Sequence, residues 1–241
     1  MDIIAVTRHG KGLLPRATSR QNEGVTNDRS AAPATQRRFA ASEVRLPEHV
    51  LLEGTSGRIL REALLLFAER GFYGTSIRDL GEACEIRSAT LYSHFPAKEN
   101  VLAELVRIGH EEHHRRLAEA AEGPAGPETR LRRVVRAHVL VHAEFPMLAV
   151  VANNELHALS DELAGPALTL RADGRRLLID ILDEGIATGV FDAPDAFLAV
   201  TAISGMGMRV ANWYDPAMPY EPEQVADTYA EFALRMTRAG S

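Results

Sequence analysis

The sequence predicts an all-α protein in two parts, a compact three-helix unit followed by a larger helical domain. Three observations carry that expectation. From about residue 54 onward, apolar residues recur at three- and four-residue spacing, with no convincing alternating stretch. Helix-stopping residues punctuate the chain at Gly71, Pro96, 123–127 (Gly-Pro-Ala-Gly-Pro), Pro146, Gly189 and the loop holding Pro216 and Pro219. Finally, 75–100, TSIRDLGEACEIRSATLYSHFPAKEN, reads as two short helices around a tight turn, followed by a new helix start.

Residues 1–53 are expected to form a disordered basic extension. The stretch 11–45 is rich in Arg, Ser, Thr, Asn, Gln and Ala without sustained periodicity. One reading is an arm that adds phosphate or minor-groove contacts to a bound duplex. The other is an unselected extension or a start assigned too early, although no Met stands between Met1 and Met147. The first residues hold only short apolar runs broken by charge, unlike a secretion signal.

Residues 54–100 form the compact unit. A helix over 57–70 turns Ile59, Leu60, Ala63, Leu64, Phe67 and Ala68 inward, and Gly71 closes it. Ser76 stands three residues before Asp79, the spacing at which a hydroxyl caps a helix while a carboxylate reaches back. Ile77, Leu80, Ala83 and Cys84 then share one apolar face, and Glu85 and Ile86 suffice only for a turn. In 87–95, Leu91 and Phe95 point inward and leave Ser88, Ala89, Thr90, Tyr92, Ser93 and His94 toward the outside. Pro96 ends that helix, and Lys98 opens the next, where a cation is useful if an anion such as phosphate lies nearby. This is a helix-turn-helix whose second helix is sized for a DNA major groove. Double-stranded DNA is the expected partner, contacted by Ser76, Arg87, Ser88, Ala89, Thr90, Tyr92, Ser93, His94 and Lys98.

Residues 101–241 read as helices over 101–122, 128–144, 147–159, 166–188, 195–213 and 222–238. The segment AFLAVTAISGMGMRVANW (196–213) is apolar nearly all round and carries Ala202, Ser204, Gly205 and Gly207. Glycine inside a helix costs ~1 kcal/mol, which close packing commonly offsets.

The run RILREALLLFAERGFYGTSIRDLGEACEIRSATLYSHFPAKENVL resembles the N-terminal domain of the tetracycline-repressor (TetR) family of bacterial transcription regulators. The match is dense in Phe-Ala-Glu-Arg-Gly-Phe, Thr-Ser-Ile-Arg-Asp-Leu and Thr-Leu-Tyr-x-His-Phe-x-x-Lys-Glu. Two positions depart from it. The family often has Gly where this chain has Glu85, so that turn is expected to carry modest strain. It often has Ser or Thr where this chain has Arg87, which cannot cap its helix but could reach a phosphate. The resemblance implies a homodimer, here through residues of about 195–238, and a C-terminal domain that binds a small-molecule effector. It places the pocket among Leu140, Phe145, Met147, Val150, Leu178 and Leu182, with Asn153, Asn154 and His157 as polar contacts. The C-terminal half is similar to TetR-type repressors of fatty-acid and sterol-ring catabolism, which makes an acyl-CoA the leading effector and another hydrophobic small molecule the alternative. An enzyme is the competing class, and a helical interaction protein without operator-specific binding is a further alternative.

Composition narrows the remaining classes. The net charge of −6 is unevenly spread: 101–241 carry twenty-one Asp/Glu against thirteen Lys/Arg, whereas 1–50 carry eight Lys/Arg against five Asp/Glu. The acidic half would repel DNA and orient the other end toward it. The single cysteine, Cys84, forbids an intrachain disulfide and fits a reducing cytoplasm. No apolar run is long enough to span a bilayer, so no membrane partner is expected. No nucleophile–base pairing or phosphate-cradling glycine loop is present, so no enzyme activity, catalytic residue or cofactor is expected. His138 and His142 are an i, i+4 pair that could grip a metal, but no Cys or carboxylate motif joins them. His110, His113 and His114 lie among glutamates and read as a solvated face, so the expectation is no metal. Arg171, Arg175 and Arg176, like Arg130, Arg132, Arg133 and Arg136, could hold the phosphates of an acyl-CoA, but read more simply as solvated faces.

Overall fold

The computed structural model describes residues 44–50 and 53–238; the extension expected over 1–53 lies almost wholly outside them. Among the described residues the chain is helical, with α1 (Gly54–Arg70), α2 (Ile77–Ala83), α3 (Ser88–His94), α4 (Lys98–Ala121), α5 (Pro127–Glu144), α6 (Pro146–Asn154), a 3-10 turn (Leu156–Ala158), α7 (Asp161–Ala187), α8 (Ala196–Trp213) and α9 (Pro222–Thr237).

Local chemistry sets most of these boundaries. α1 buries Ile59, Ala63, Leu64, Phe67 and Ala68, each large apolar side chain stabilising the fold by ~1.5–3 kcal/mol. It ends where Gly71 takes φ 75° and donates its N–H to the Phe67 carbonyl. α5 and α6 both start on a proline, whose missing N–H is harmless in the first turn, and they meet at a bend of 100°. α8 starts where the Asp195 carboxylate accepts the Leu198 N–H at 2.9 Å.

Three local expectations are corrected. α7 begins at Asp161 and carries Pro166 inside it, although 166 was the expected start. Asp161 and Glu162 favour the helix N-terminus, and Leu163, Ala164 and Ala167 pack into the core, which offsets the hydrogen bond the proline cannot donate. The helix expected over 147–159 stops at Asn154, because Glu155 turns inward and its carboxylate accepts the Phe72 N–H at 3.2 Å. Ala83 is exposed; only Leu80 and Cys84 of its expected face are fully buried.

The packing places α5 centrally, against α9, α4, α8 and α7, while α4 also packs on α6 and α7. One apolar core runs without interruption from Ile59, Phe67, Leu80 and Leu91 through Leu102 and Leu105 to Leu148, Val151 and Ala167. A second core joins Leu131, Val134, Leu178, Ile181, Leu182, Ile203 and Leu234. The helix-turn-helix unit is thus continuous with the α4–α6 layer.

Candidate nucleic-acid interface and effector cavity

The capping box forms as its spacing predicts. Asp79 donates its N–H to Ser76 Oγ at 3.1 Å, and Ser76 donates its N–H to Asp79 Oδ2 at 2.7 Å. Bonds with the Ser76 hydroxyl and amide hold the Asp79 carboxyl below its ordinary range. At the turn Ile86 donates to the Gly81 carbonyl at 2.9 Å, and Glu85 sits at φ 54°, the only non-glycine residue at positive φ among those described. The strain expected where the family often has glycine is present.

α3 buries Leu91 completely and exposes Ser88, Ala89, Thr90, Tyr92, Ser93 and His94. Arg87 stands exposed at its N-cap without a side-chain capping bond. His94 Nδ1 and Ser56 Oγ are 2.9 Å apart, which ties α3 to α1, and Ser93 Oγ donates to the Thr90 carbonyl at 2.7 Å. A seven-residue helix with one buried anchor and an outer face of hydroxyls, a phenol and an imidazole can lie in a groove and donate to phosphates and base edges. Lys98 faces elsewhere. Its Nζ donates to the Phe72 carbonyl at 2.7 Å and the Thr75 carbonyl at 2.6 Å, and it lies 3.9 Å from the Phe72 ring centroid. Its ammonium pins the turn between α1 and α2, and burial lowers its pKa against the opposing charge of Asp79.

A cavity of about 170 Å³ opens among α4, α5, α6, α7 and α8. Of the residues expected to line a pocket, Phe145, Asn153 and Leu178 reach it. The others lie elsewhere. Met147 and Val150 are buried on α6 away from it, Leu182 belongs to the second core, and Leu140 packs beside Val139, Val210 and Tyr214. Asn154 and His157 are exposed, with His157 against Tyr73. Asn153 donates to the Ala149 carbonyl of its own helix at 2.8 Å.

Sequence reasoning missed the polar wall. His110, His113, His138 and His142 line the cavity together with Glu112, Arg171 and Arg175, so the expected solvated face of α4 is in fact an inner one. The missed signal was spacing: His110 and His113 continue the row of Leu102, Val106 and Leu117 on the buried side of α4. Burial lowers His110 to about 4, with the Arg171 charge adding to it and a bond to the Ala152 backbone opposing. Burial, and then the charge of His138, lowers His142 to about 3. Burial lowers His113 and His138 as well, so all four imidazoles are neutral near pH 7. Burial raises the Glu112 carboxyl, but hydrogen bonds and charge from Arg115 and Arg116 outweigh this and hold it below its ordinary range.

Five of these arginines fall into two groups. Arg130, Arg132 and Arg136 pair with Glu184, Glu231 and Asp227, as solvated faces do. Arg171 and Arg175 border the cavity, and no salt bridge to a carboxylate holds either among the described residues. Burial, and then the charge of Arg175, lowers the Arg171 pKa.

A capped helix-turn-helix on a helical body with an internal cavity defines the class, a DNA-binding transcriptional regulator of the one-chain sensor type. Residues 59–105 match the family described as bacterial regulatory proteins, tetR family, and residues 124–237 match the tetracyclin repressor-like C-terminal domain. The chain belongs to the TetR family. It is 28% identical over 183 residues to the HTH-type transcriptional repressor KstR2 of Mycobacterium tuberculosis, covering 74% of this chain and 90% of that one. The solved structure of that ketosteroid transcriptional regulator superposes with a TM-score of 0.73 at 26% identity, over 81% of this chain and 100% of the other. PfmR of Thermus thermophilus, a TetR family transcriptional regulator, is 34% identical with a TM-score of 0.67, over 74% and 97% of the two chains. AibR, solved in complex with isovaleryl coenzyme A and operator DNA, shares the fold at 22% identity and a TM-score of 0.67, over 74% and 97%. Among the described residues no single helix is long and apolar enough to cross a membrane.

Proposed function

We propose that this chain is a homodimeric transcriptional repressor released from its operator by an anionic, partly apolar effector, with acyl-CoA as the leading class. In this reading it works in the cytoplasm, 54–100 read DNA, and 101–241 bind the effector and dimerise. Ser76, Arg87, Ser88, Ala89, Thr90, Tyr92, Ser93 and His94 make up the DNA-reading set, and one α3 per protomer enters successive major grooves ~34 Å apart.

The observation that carries the effector reading is the pairing of an apolar cavity with Arg171 and Arg175 at its border, cations held by no salt bridge to a carboxylate among the described residues. Guanidinium groups suit phosphate or carboxylate recognition, and the floor of Phe145, Leu148, Leu178 and Val200 suits a hydrocarbon. A cavity of about 150 Å³ holds a benzene-sized group, so this one accepts a short acyl chain or a single ring and leaves a nucleotide headgroup outside. Two similar proteins fit this frame: KstR2 of Mycobacterium tuberculosis is a ketosteroid transcriptional regulator, and AibR is seen carrying isovaleryl coenzyme A together with operator DNA.

The dimer reading is supported by α8 and α9, which leave Phe197, Leu198, Trp213, Phe232 and Met236 exposed. Release follows if the effector binds better to the state whose α3 helices are out of register; equal affinity for both states would change nothing.

The test is fluorescence anisotropy of the purified protein on the DNA upstream of its own gene, at fixed salt, with acyl-CoAs of increasing chain length. Release by short acyl-CoAs, weakened in Arg171→Ala, is expected. Tight binding indifferent to every acyl-CoA would keep the regulator and remove this effector class.

A further inference from the structure

The histidines at the cavity wall form a group that the regulator reading does not use. His113 comes from α4, and His138 and His142 come from successive turns of α5. One nitrogen from each ring lies within 4.8 Å of the other two. The ring centroids are 5.1, 5.5 and 4.6 Å apart, each pair edge to face, so the rings do not stack.

The hydrogen bonds fix which nitrogens are free. His138 Nε2 lies 3.0 Å from the Ser204 carbonyl, an acceptor, so that nitrogen holds the ring's proton and Nδ1 presents a lone pair. His142 Nδ1 lies 2.7 Å from the His138 carbonyl, so its proton is there and Nε2 is the free nitrogen. Imidazole ligands in metal sites are oriented in the same way, the far N–H donating to a carbonyl or carboxylate. His113 Nε2 is 2.8 Å from His138 Nδ1 and donates to it while no ion is bound. With its proton on Nδ1 instead, the neutral ring offers Nε2 as a third ligand, and no net proton leaves. The α8 backbone is cut back to make this arrangement possible, because a Cβ at Gly207 would stand 2.1 Å from His138 Cδ2.

We propose that His113, His138 and His142 bind one divalent transition-metal ion, zinc first, on the cavity wall, with a fourth coordination position open to the cavity. Three neutral imidazoles suit zinc, copper or nickel and not magnesium or calcium. A three-ligand site with an open position takes a water or an oxygen or sulfur donor of a ligand. Only the use of that open position rests on the effector reading; occupancy by the metal does not.

The test uses the full chain, stripped with a chelator, dialysed and titrated with Co²⁺ as the spectroscopic probe. The expected result is the intense visible absorption of four-coordinate cobalt, saturating at one ion per chain and displaced by Zn²⁺. His142→Gln and, separately, His113→Gln each weaken binding by more than about a hundredfold, beyond the loss usual for an outer-shell partner. His157→Gln, an exposed histidine, leaves it unchanged. X-ray absorption of the zinc-loaded wild type, independent of whether any variant folds, is expected to show three imidazoles at about 2.0–2.1 Å. No bound ion, a weak octahedral cobalt spectrum, or variants that bind like the wild type would each overturn the site. If the metal fails while acyl-CoA still releases the operator, the effector reading stands without it.

Discussion

Lys98 and Tyr92 stand six residues apart and are expected to fail in different ways. Tyr92 is half exposed on α3 and makes no hydrogen bond within the described chain that the fold needs, so Tyr92→Ala should leave the melting temperature within about a degree of wild type. Its operator affinity should drop by ~1–3 kcal/mol, roughly tenfold to a hundredfold. Lys98→Ala instead removes a charged donor from the Phe72 and Thr75 carbonyls, at ~1.5–3 kcal/mol of stability, and should weaken DNA binding only through the unsettled turn. Paired thermal denaturation and anisotropy separate the two, and a stable Lys98→Ala protein with lost operator binding would return Lys98 to the DNA surface. Glu85 offers a test of opposite sign. A left-handed backbone costs an L residue ~1–2 kcal/mol, whereas glycine there loses only ~0.5–1 kcal/mol of extra chain entropy. Glu85→Gly should therefore raise the urea midpoint, by up to about 1.5 kcal/mol of stability; a lower midpoint would mean that the Glu85 side chain holds the turn.

At the level of helices, short-range chemistry was legible and face orientation was less so. The Ser76–Asp79 box, the stop at Gly71 and the strain at Glu85 each depend on neighbours within a few residues, and each is where the sequence puts it. The cavity depends on which side of α4 meets α5 and α7. There the glutamates beside His110 and His113 suggested water, but Glu112 is buried and neutralised by Arg115 and Arg116 one turn on. The close packing expected at Gly207 is present, and the group it meets is the His138 ring of its own chain. This inner face of α4 should make the protein acid-sensitive. His110 has a folded pKa of about 4 against an ordinary 6.5, so between these values the unfolded chain binds more protons. Its stabilising contribution is complete above ~6.5 and is lost as pH falls toward 4, reaching at most ~3 kcal/mol. The urea midpoint should fall between about pH 7.5 and 5, before the carboxylates titrate, and His110→Gln should flatten that slope. A wild-type midpoint unchanged over this window would mean that His110 is not buried neutral.

Across the whole molecule, the proposed effector in the cavity would have to reach α3 from some helices away. The first core is continuous from Leu80 and Leu91 of the DNA-reading unit, through Leu102 and Leu105 of α4, to Leu148 and Val151 of α6. Leu148 also lines the cavity, so the same apolar layer touches both the cavity and the helix-turn-helix. A polar link runs parallel to it, where the buried Glu155 carboxylate at the end of α6 accepts the Phe72 N–H just before the capping box. Closely packed cores shift between discrete arrangements and do not deform continuously, so a ligand that moves α6 should move the turn before α2 with it. Glu155→Gln keeps the shape and an acceptor oxygen but removes the charge from that bond. The expected result is a loss of ~0.5–2 kcal/mol in the coupling between effector and operator, read as a smaller ratio of operator Kd with and without effector, while effector affinity for the DNA-free protein changes less. If the ratio is unchanged and only the melting temperature falls, the Glu155–Phe72 bond is a structural tie, and the coupling runs through the apolar layer alone.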